Sequence, residues 1–247
     1  HWQGLGYYSR ARNLHKGAQV VRERFRGAVP KDPAELRSLP GVGEYTAGAV
    51  ASIAFGVPAP AVDGNVRRVL SRVFDLPDPG KAQLKELAAA LVDPERPGDF
   101  NQALMELGAL VCTPRSPDCG GCPLRGSCAA YAAGTVEERP ARKPKKAVPE
   151  VDVAVLVGVR VGVRVGGAAG SQPLFFLRRR PSEGLLAGMW EFPGTEVEGR
   201  GGAEAVLNIA AELALEPSGE GLELPAVPHA FSHLKARYWP ILVPVAG

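Results

Sequence analysis

The sequence predicts an α+β chain of two domains, an all-α domain followed by an α/β domain. Three observations carry that reading. Residues 1–130 place apolar side chains at helical spacing between Pro and Gly clusters. Residues 151–247 run mostly in short Val-, Ile- and Phe-rich stretches that read as strands. Residues 131–150, Y-A-A-G-T-V-E-E-R-P-A-R-K-P-K-K-A-V-P-E, are charged, carry prolines and show no apolar periodicity, so they read as a linker.

Composition narrows the class. With 247 residues, 45% hydrophobic and 22% charged, the chain has material for one or two ordinary globular cores. The net charge of +3 and pI near 8.7 are compatible with a nucleic-acid partner without requiring one. The excess lies in the helical part: residues 1–130 carry +3, 131–150 carry +2 and 151–247 carry −2. No apolar run reaches the roughly 18 residues of a spanning helix, and no secretory signal is visible. The chain begins at His1 rather than Met, as expected of a fragment or a processed protein.

In the helical part, Leu14, Ala18, Val21 and Phe25 share one helix face, and Leu84, Leu87, Ala88 and Leu91 share another. Between them lies L-P-G-V-G-E-Y-T-A-G-A-V, Leu39–Val50, with a helix expected on either side. Gly41 and Gly43 permit positive φ there and a close approach to the backbone. The amides of Gly41, Val42 and Gly43 and the next helix N-terminus then face outward as an anion site. This is a helix-hairpin-helix signature, suited to gripping a DNA phosphate without reading sequence. The next motif is A-V-D-G-N-V-R-R-V-L-S-R, Ala61–Arg72, where Asp63 precedes a basic amphipathic helix in the position of an N-cap.

All four cysteines fall at Cys112, Cys119, Cys122 and Cys128, a C-x6-C-x2-C-x5-C spacing. Two disulfides, a structural zinc and an iron–sulfur cluster each use four thiols. The absence of paired C-x2-C knuckles favours the larger cluster only modestly. In the second part, V-D-V-A-V-L-V-G-V-R-V-G-V-R-V from Val151, P-L-F-F-L from Pro173 and I-L-V-P-V from Ile241 read as strands. A helix is expected from Ala203 to Leu215.

Hairpin, Asp and cysteine cluster, in that order, resemble the endonuclease III superfamily of base-excision DNA glycosylases, whose iron–sulfur motif has this cysteine spacing. W-Q-G-L-G-Y-Y-S-R-A-R-N-L-H, Trp2–His15, is similar to a stretch of the MutY adenine glycosylases. G-L-L-A-G-M-W-E-F-P, Gly184–Pro193, and F-S-H-L, Phe231–Leu234, resemble that family's Nudix-type C-terminal domain. The resemblance implies a 4Fe–4S cluster on Cys112, Cys119, Cys122 and Cys128. It implies excision of adenine opposite 8-oxoguanine or guanine, with Asp63 beside the oxocarbenium-like sugar and Asn65 and Tyr45 orienting the site. Tyr45 stands where strand-cleaving relatives carry a nucleophilic Lys, so a monofunctional enzyme is implied.

The resemblance further implies Tyr7 as a wedge beside the damaged guanine, Arg115 and Arg125 as phosphate contacts, and Phe231, Ser232 and His233 as readers of 8-oxoguanine. It places residues 1–130 in the glycosylase domain and 151–247 in the Nudix-like domain, truncated at the C-terminus. The protein is expected to be a monomer acting on duplex DNA, cytoplasmic and associated with a bacterial nucleoid. The family supplies its general-acid Glu upstream of the W-x-G-L-G-Y-Y stretch, so this chain by itself is expected to be inactive. The alternatives are a non-catalytic DNA-binding fragment or an endonuclease III-like lyase. The Nudix metal box is not satisfied: between Gly194 and Glu216 the core positions are apolar or amide, with Glu212 and Glu216 nearby. The second domain therefore reads as a recognition module rather than a hydrolase.

Overall fold

Capping and punctuation residues set the helices of the first part. In chain order they are α1 (Tyr8–Arg24), α2 (Pro33–Arg37), α3 (Glu44–Phe55), α4 (Gly64–Val73), α5 (Lys81–Leu91), α6 (Pro97–Leu110) and α7 (Ala129–Ala133). Asp32 starts α2 by accepting from the amides of Ala34 and Glu35 at 2.7 and 3.0 Å. Pro97 occupies the first turn of α6, where its missing N–H costs nothing. Gly56 ends α3 in the left-handed region. The computed structural model describes residues 1–2, 4–141, 147–163, 172–199 and 202–246. The chain divides into two units, 1–144 and 145–247.

Two apolar clusters hold the first unit. Leu36, Leu39, Ala47, Ala51 and Ala59 form one, against partly buried Val20, Val21 and Phe25. Val66, Leu70, Leu84 and Ala88 form the other, with Leu104 and Met105 packed on it. The first expected helix face is only half used: Val21 and Phe25 reach the core, while Leu14 is 69% exposed. Buried Asn101 joins the elements by hydrogen bonds. Its Nδ2 donates to Ser52 Oγ and Ala59 O, both at 2.9 Å, and its Oδ1 accepts from Ala61 N at 3.1 Å. Those bonds fix the loop that delivers Asp63.

The expected linker does not begin at residue 131. Tyr131–Ala133 complete α7. Thr135 Oγ1 and Arg139 Nε both donate to Asp75 Oδ1, at 2.6 and 2.7 Å. These bonds hold Asp75 below the usual carboxylate range, Thr135 first. The attachment is polar, so it leaves no apolar periodicity to read. Residues 142–146 of the expected linker lie outside the described residues.

The second unit contains β1 (Glu150–Val163), β2 (Gln172–Phe175), β3 (Arg178–Arg179), β4 (Trp190–Glu191) and β5 (Gly194–Val197). These are followed by α8 (Ala203–Glu212), β6 (Glu216–Pro217), β7 (Leu222–Glu223), β8 (Val227–Ala230) and β9 (Lys235–Ala246). Strand β1 pairs in parallel with β9, Leu156 opposite Ile241, and antiparallel with β2 and β5. On its other edge β9 takes β6, β7 and β8 in antiparallel pairs. Both faces of β1 are buried at its centre, Ala154 and Leu156 on one and Val155, Val157 and Val159 on the other. That accounts for its near-continuous apolar run. Helix α8 covers one face with Val206, Ile209 and Ala210 against Ala154, Leu156, Ile241 and Val243. Strands β3 and β4 form a separate ribbon.

Candidate functional site

The hairpin of the first unit lies between α2 and α3. Gly41 has φ +77°, and a Cβ there would meet Asn13 Cβ at 2.7 Å, so glycine is required twice over. Gly43 departs from the sequence expectation. It is extended, φ −87° and ψ 179°, and serves as the N-cap of α3. With no side-chain cap there, the first-turn amides of α3 are left facing an open surface at an exposed glycine. Partly buried Val42 packs into the core and anchors the loop. Glu44, in the first turn, is bound by Lys85 at 2.6 Å, and that hydrogen bond holds its carboxyl below the usual range.

Gly43, Tyr45 and Asp63 line one cleft, together with Arg67, Lys81 and Lys85. The structure thus joins two elements that the sequence separates by eighteen positions. Tyr45 is 42% exposed, and its hydroxyl donates to the sulfur of Met105 at 3.4 Å. Asp63 is the N-cap of α4, accepting from Val66 N at Oδ1, 2.8 Å, while its Oδ2 accepts from Asn65 Nδ2 at 3.1 Å. Both carboxylate oxygens are therefore engaged within the first turn of α4, and the group is fixed in orientation.

Asn65 does not line the cleft; it braces Asp63 from behind. Gly108 of α6 lets Asn65 approach, since a Cβ on that glycine would lie 2.6 Å from Asn65 Cβ. Asn65 Oδ1 accepts from Arg68 Nη2 at 2.9 Å. Arg68 also donates from Nη2 to Gly108 O and from Nε to Cys112 O, at 2.6 and 2.7 Å. A continuous hydrogen-bonded path thus runs from Asp63 to the first cysteine. One turn on, Arg72 is 2% exposed and donates from Nη1 to Cys112 Sγ at 3.3 Å. Sequence reading saw α4 only as basic and amphipathic. The missed signal is the i, i+4 pair of Arg68 and Arg72, of which Arg72 lies in the apolar stripe of Val66, Val69 and Leu70.

The four cysteines form no disulfide and line a single cavity, walled by Val69, Leu107, Val111 and Tyr131. Among the described residues, no three His, Cys, Asp or Glu side chains converge closely enough for a single metal ion. Four thiols around one apolar-walled space, too spread for one ion, fit a polynuclear group better than zinc. Burial pushes the Cys119 thiol up, with the other three cysteines adding to the shift. In this loop Arg115 is exposed, as a phosphate contact requires. Arg125 is exposed as well, stacks over Tyr131 at 4.9 Å and lines the cysteine cavity.

Tyr7 caps α1 in the left-handed region, φ 45°, and is 73% exposed with Arg10 stacked on it at 4.7 Å. Its neighbour Tyr8 is half-buried. In the second unit, Phe231 N donates to Leu234 O at 2.7 Å, closing a tight turn between β8 and β9. Ser232 and His233 are exposed at its tip, Oγ and Nδ1 3.5 Å apart. The Phe231 ring lies edge-on to His229 at 4.4 Å. Glu212 ends α8 and Glu216 begins β6, and among the described residues neither joins a metal-holding group.

Comparison with known proteins agrees with this division. The helix-hairpin-helix motif family matches residues 24–53 and the iron–sulfur binding domain of endonuclease III matches residues 112–128. The NUDIX domain family matches residues 167–245. The 112–128 loop is accordingly an iron–sulfur loop, and a 4Fe–4S cluster is its cofactor. The solved structure of a thermostable thymine-DNA glycosylase aligns with 53% of this chain and 63% of its own, at TM-score 0.50 and 37% identity. The adenine DNA glycosylase of Rattus norvegicus is 39% identical, the alignment covering 96% of this chain and 54% of that protein. That of Homo sapiens is also 39% identical, over 96% of this chain and 51% of its own length. The chain spans about half the length of these curated relatives. Identity at this level, sustained through both units and the loop that separates α6 from α7, reflects common descent: the chain belongs to the MutY family of adenine DNA glycosylases.

Proposed function

We propose that the chain forms the catalytic and recognition core of a monofunctional adenine DNA glycosylase, which removes adenine mispaired with 8-oxoguanine or guanine in base-excision repair. The observation that carries this reading is Asp63, held on both oxygens at the wall of a cleft that also contains Tyr45 and hairpin Gly43. Excision requires the adenine nucleotide to leave the stack, at a cost of a few kcal/mol. Cleavage of the N-glycosidic bond then leaves positive charge on the sugar. A carboxylate already fixed beside that charge stabilises the transition state without reorganising. Asn65 holds Asp63 in that orientation, and Tyr45 borders the space where the sugar and base sit.

The partner is duplex DNA carrying A:8-oxoguanine or A:G, bound by a single copy of the protein. Gly41, Val42, Gly43 and Arg115 contact phosphate, and Tyr7 wedges into the stack. Phe231, Ser232 and His233 read the oxidised purine. Cys112, Cys119, Cys122 and Cys128 ligate the cluster, whose chemistry here is structural: it organises the 112–128 loop. Residues 1–130 and 151–247 then divide catalysis from recognition, the core positions of the Nudix metal box being apolar or amide rather than acidic. Among the described residues no helix is long and apolar enough to cross a membrane. The proposed place of action is the bacterial nucleoid.

The test is single-turnover release from an A:8-oxoguanine duplex by the complete protein. Free adenine should appear while the DNA strand stays intact until alkali is added. Absence of adenine release overturns the proposal, and strand scission in step with release overturns its monofunctional part.

A further inference from the structure

Arg72 heads the largest fully buried side chains among the described residues. Helix α4 aims it inward, beside Val69 and Leu70. Its Nε donates to the carbonyls of Val136 and Arg139 at 2.9 and 3.1 Å, and its Nη1 to Thr113 O at 2.8 Å and Cys112 Sγ at 3.3 Å. Cys128 Sγ lies 3.4 Å from the Arg72 carbonyl oxygen. Among the described residues no carboxylate forms an ion pair with it. The carbonyls satisfy its hydrogen bonds but bring no charge. Arg68, one turn earlier on α4 and bonded to Cys112 O at 2.7 Å, adds like charge. A guanidinium always carries its proton, so Arg72 cannot escape by becoming neutral. A buried cation without a counter-charge is strongly destabilising.

The charge that would balance it is the one the cysteines carry when loaded. Four thiolates outweigh the charge of an oxidised four-iron core, so the ligated group is net negative. We propose that Arg72 is the buried counter-charge of the iron–sulfur group. The loaded cluster and the packing of residues 131–139, which Arg72 ties to the cysteine loop, thereby stabilise each other. Arg72 is a positioning residue in this account and touches no substrate. The proposal rests on the cluster assignment, which the iron content of the unsubstituted protein tests separately.

The experiment compares Arg72→Met, which removes charge and donors, with Arg72→Lys, which keeps the charge but loses the planar fork. Cluster loss to an iron chelator is followed by visible absorbance, and thermal midpoints are recorded for loaded and cluster-free protein. Arg72→Met should lose its cluster about 10- to 100-fold faster than the parent, the usual range for removing a partner behind a metal ligand. Arg72→Lys should fall between. The gap between loaded and cluster-free midpoints should be narrower in Arg72→Met, because its cluster-free form has no buried charge left unbalanced. Equal rates for the Lys and Met variants, or an unchanged gap, would show that Arg72 is only a clamp on carbonyls and overturn the proposal. Should Arg72→Met fail to fold, reduction potentials of Arg72→Gln and Arg72→Lys decide. Loss of the charge should make the cluster harder to reduce in the Gln variant alone, and matched potentials overturn the proposal.

Discussion

Asp63 in the first unit accepts hydrogen bonds at both carboxylate oxygens, one from backbone and one from Asn65, which is itself held by Arg68. Ser232 and His233 in the second unit stand exposed at the tip of a turn and approach each other at 3.5 Å. The contrast matches the roles proposed for them. A group that stabilises a transient charge works best when it is fixed before the substrate arrives, since any reorganisation is subtracted from the rate. A group that reads a base edge contributes only the difference between two hydrogen-bonding patterns, about 1–3 kcal/mol for a good contact. It gains less from rigidity and needs access. The first unit is built around a preset charge, and the second presents its donors at the surface.

The strongest way to break this comparison is at Asp63. Asp63→Asn retains an oxygen that can cap α4 and loses only the bond from Asn65, so stability to unfolding should fall modestly, by about 1 kcal/mol. Adenine release in the complete protein should nevertheless fall by at least about 10²-fold, the scale of losing one fixed electrostatic contact. A release rate equal to the parent's would reduce Asp63 to a helix cap. The second unit is tested by replacing Ser232 and His233 together with Ala. Preference for A:8-oxoguanine over A:G should drop by about 10- to 100-fold, the equivalent of roughly 1.4–2.8 kcal/mol, with A:G turnover nearly unchanged. Equal losses on both duplexes would make the loop a structural turn and remove the contrast.

The hairpin sharpens the comparison further, because it separates fold from contact within one loop. Gly41→Ala forces a side chain into the left-handed region and against Asn13, and should cost about 1–3 kcal/mol in urea unfolding. Gly43→Ala meets nothing within 4 Å and only replaces a tolerated N-cap residue with a poor one, so it should cost less than Gly41→Ala, about 0.5–1 kcal/mol. If Gly43 faces a phosphate, this second change should instead weaken binding to every duplex alike. Loss confined to mismatched duplexes would show that the hairpin reads the lesion.

Much of this was legible because it is local. The Asp63 cap precedes α4 as a polar residue before a periodic run, and the strand β1 is visible in its Val-rich stretch. The four cysteines fall within the 112–128 stretch, and the family motifs at Trp2–His15 and Phe231–Leu234 are contiguous. Two local readings still failed. Gly43 was expected at positive φ because glycine permits it, but a helix N-cap takes an extended residue and the turn is made by Gly41 alone. Residues 131–141 resembled a linker because much of their hold on the rest of the first unit is polar, through Asp75 and Arg72, with no apolar periodicity.

The sequence by itself determined the α-then-β order, the hairpin, the capping carboxylate, the four thiols and the family to which they point. Each depends on residues a few positions apart, where spacing and side-chain chemistry are enough. Only the tertiary structure decided that Tyr45 and Asp63 share a cleft, that Asn65 and Arg68 connect Asp63 to Cys112, and that Arg72 lies buried against the cysteine loop. The contacts of Arg68 and Arg72 with Cys112 and Val136 join residues 40 to 64 positions apart through polar groups, and Tyr45 meets Asp63 across eighteen. Periodicity records how a side chain faces relative to its own helix or strand, so a hydrogen bond to a distant carbonyl leaves no trace until the chain has folded.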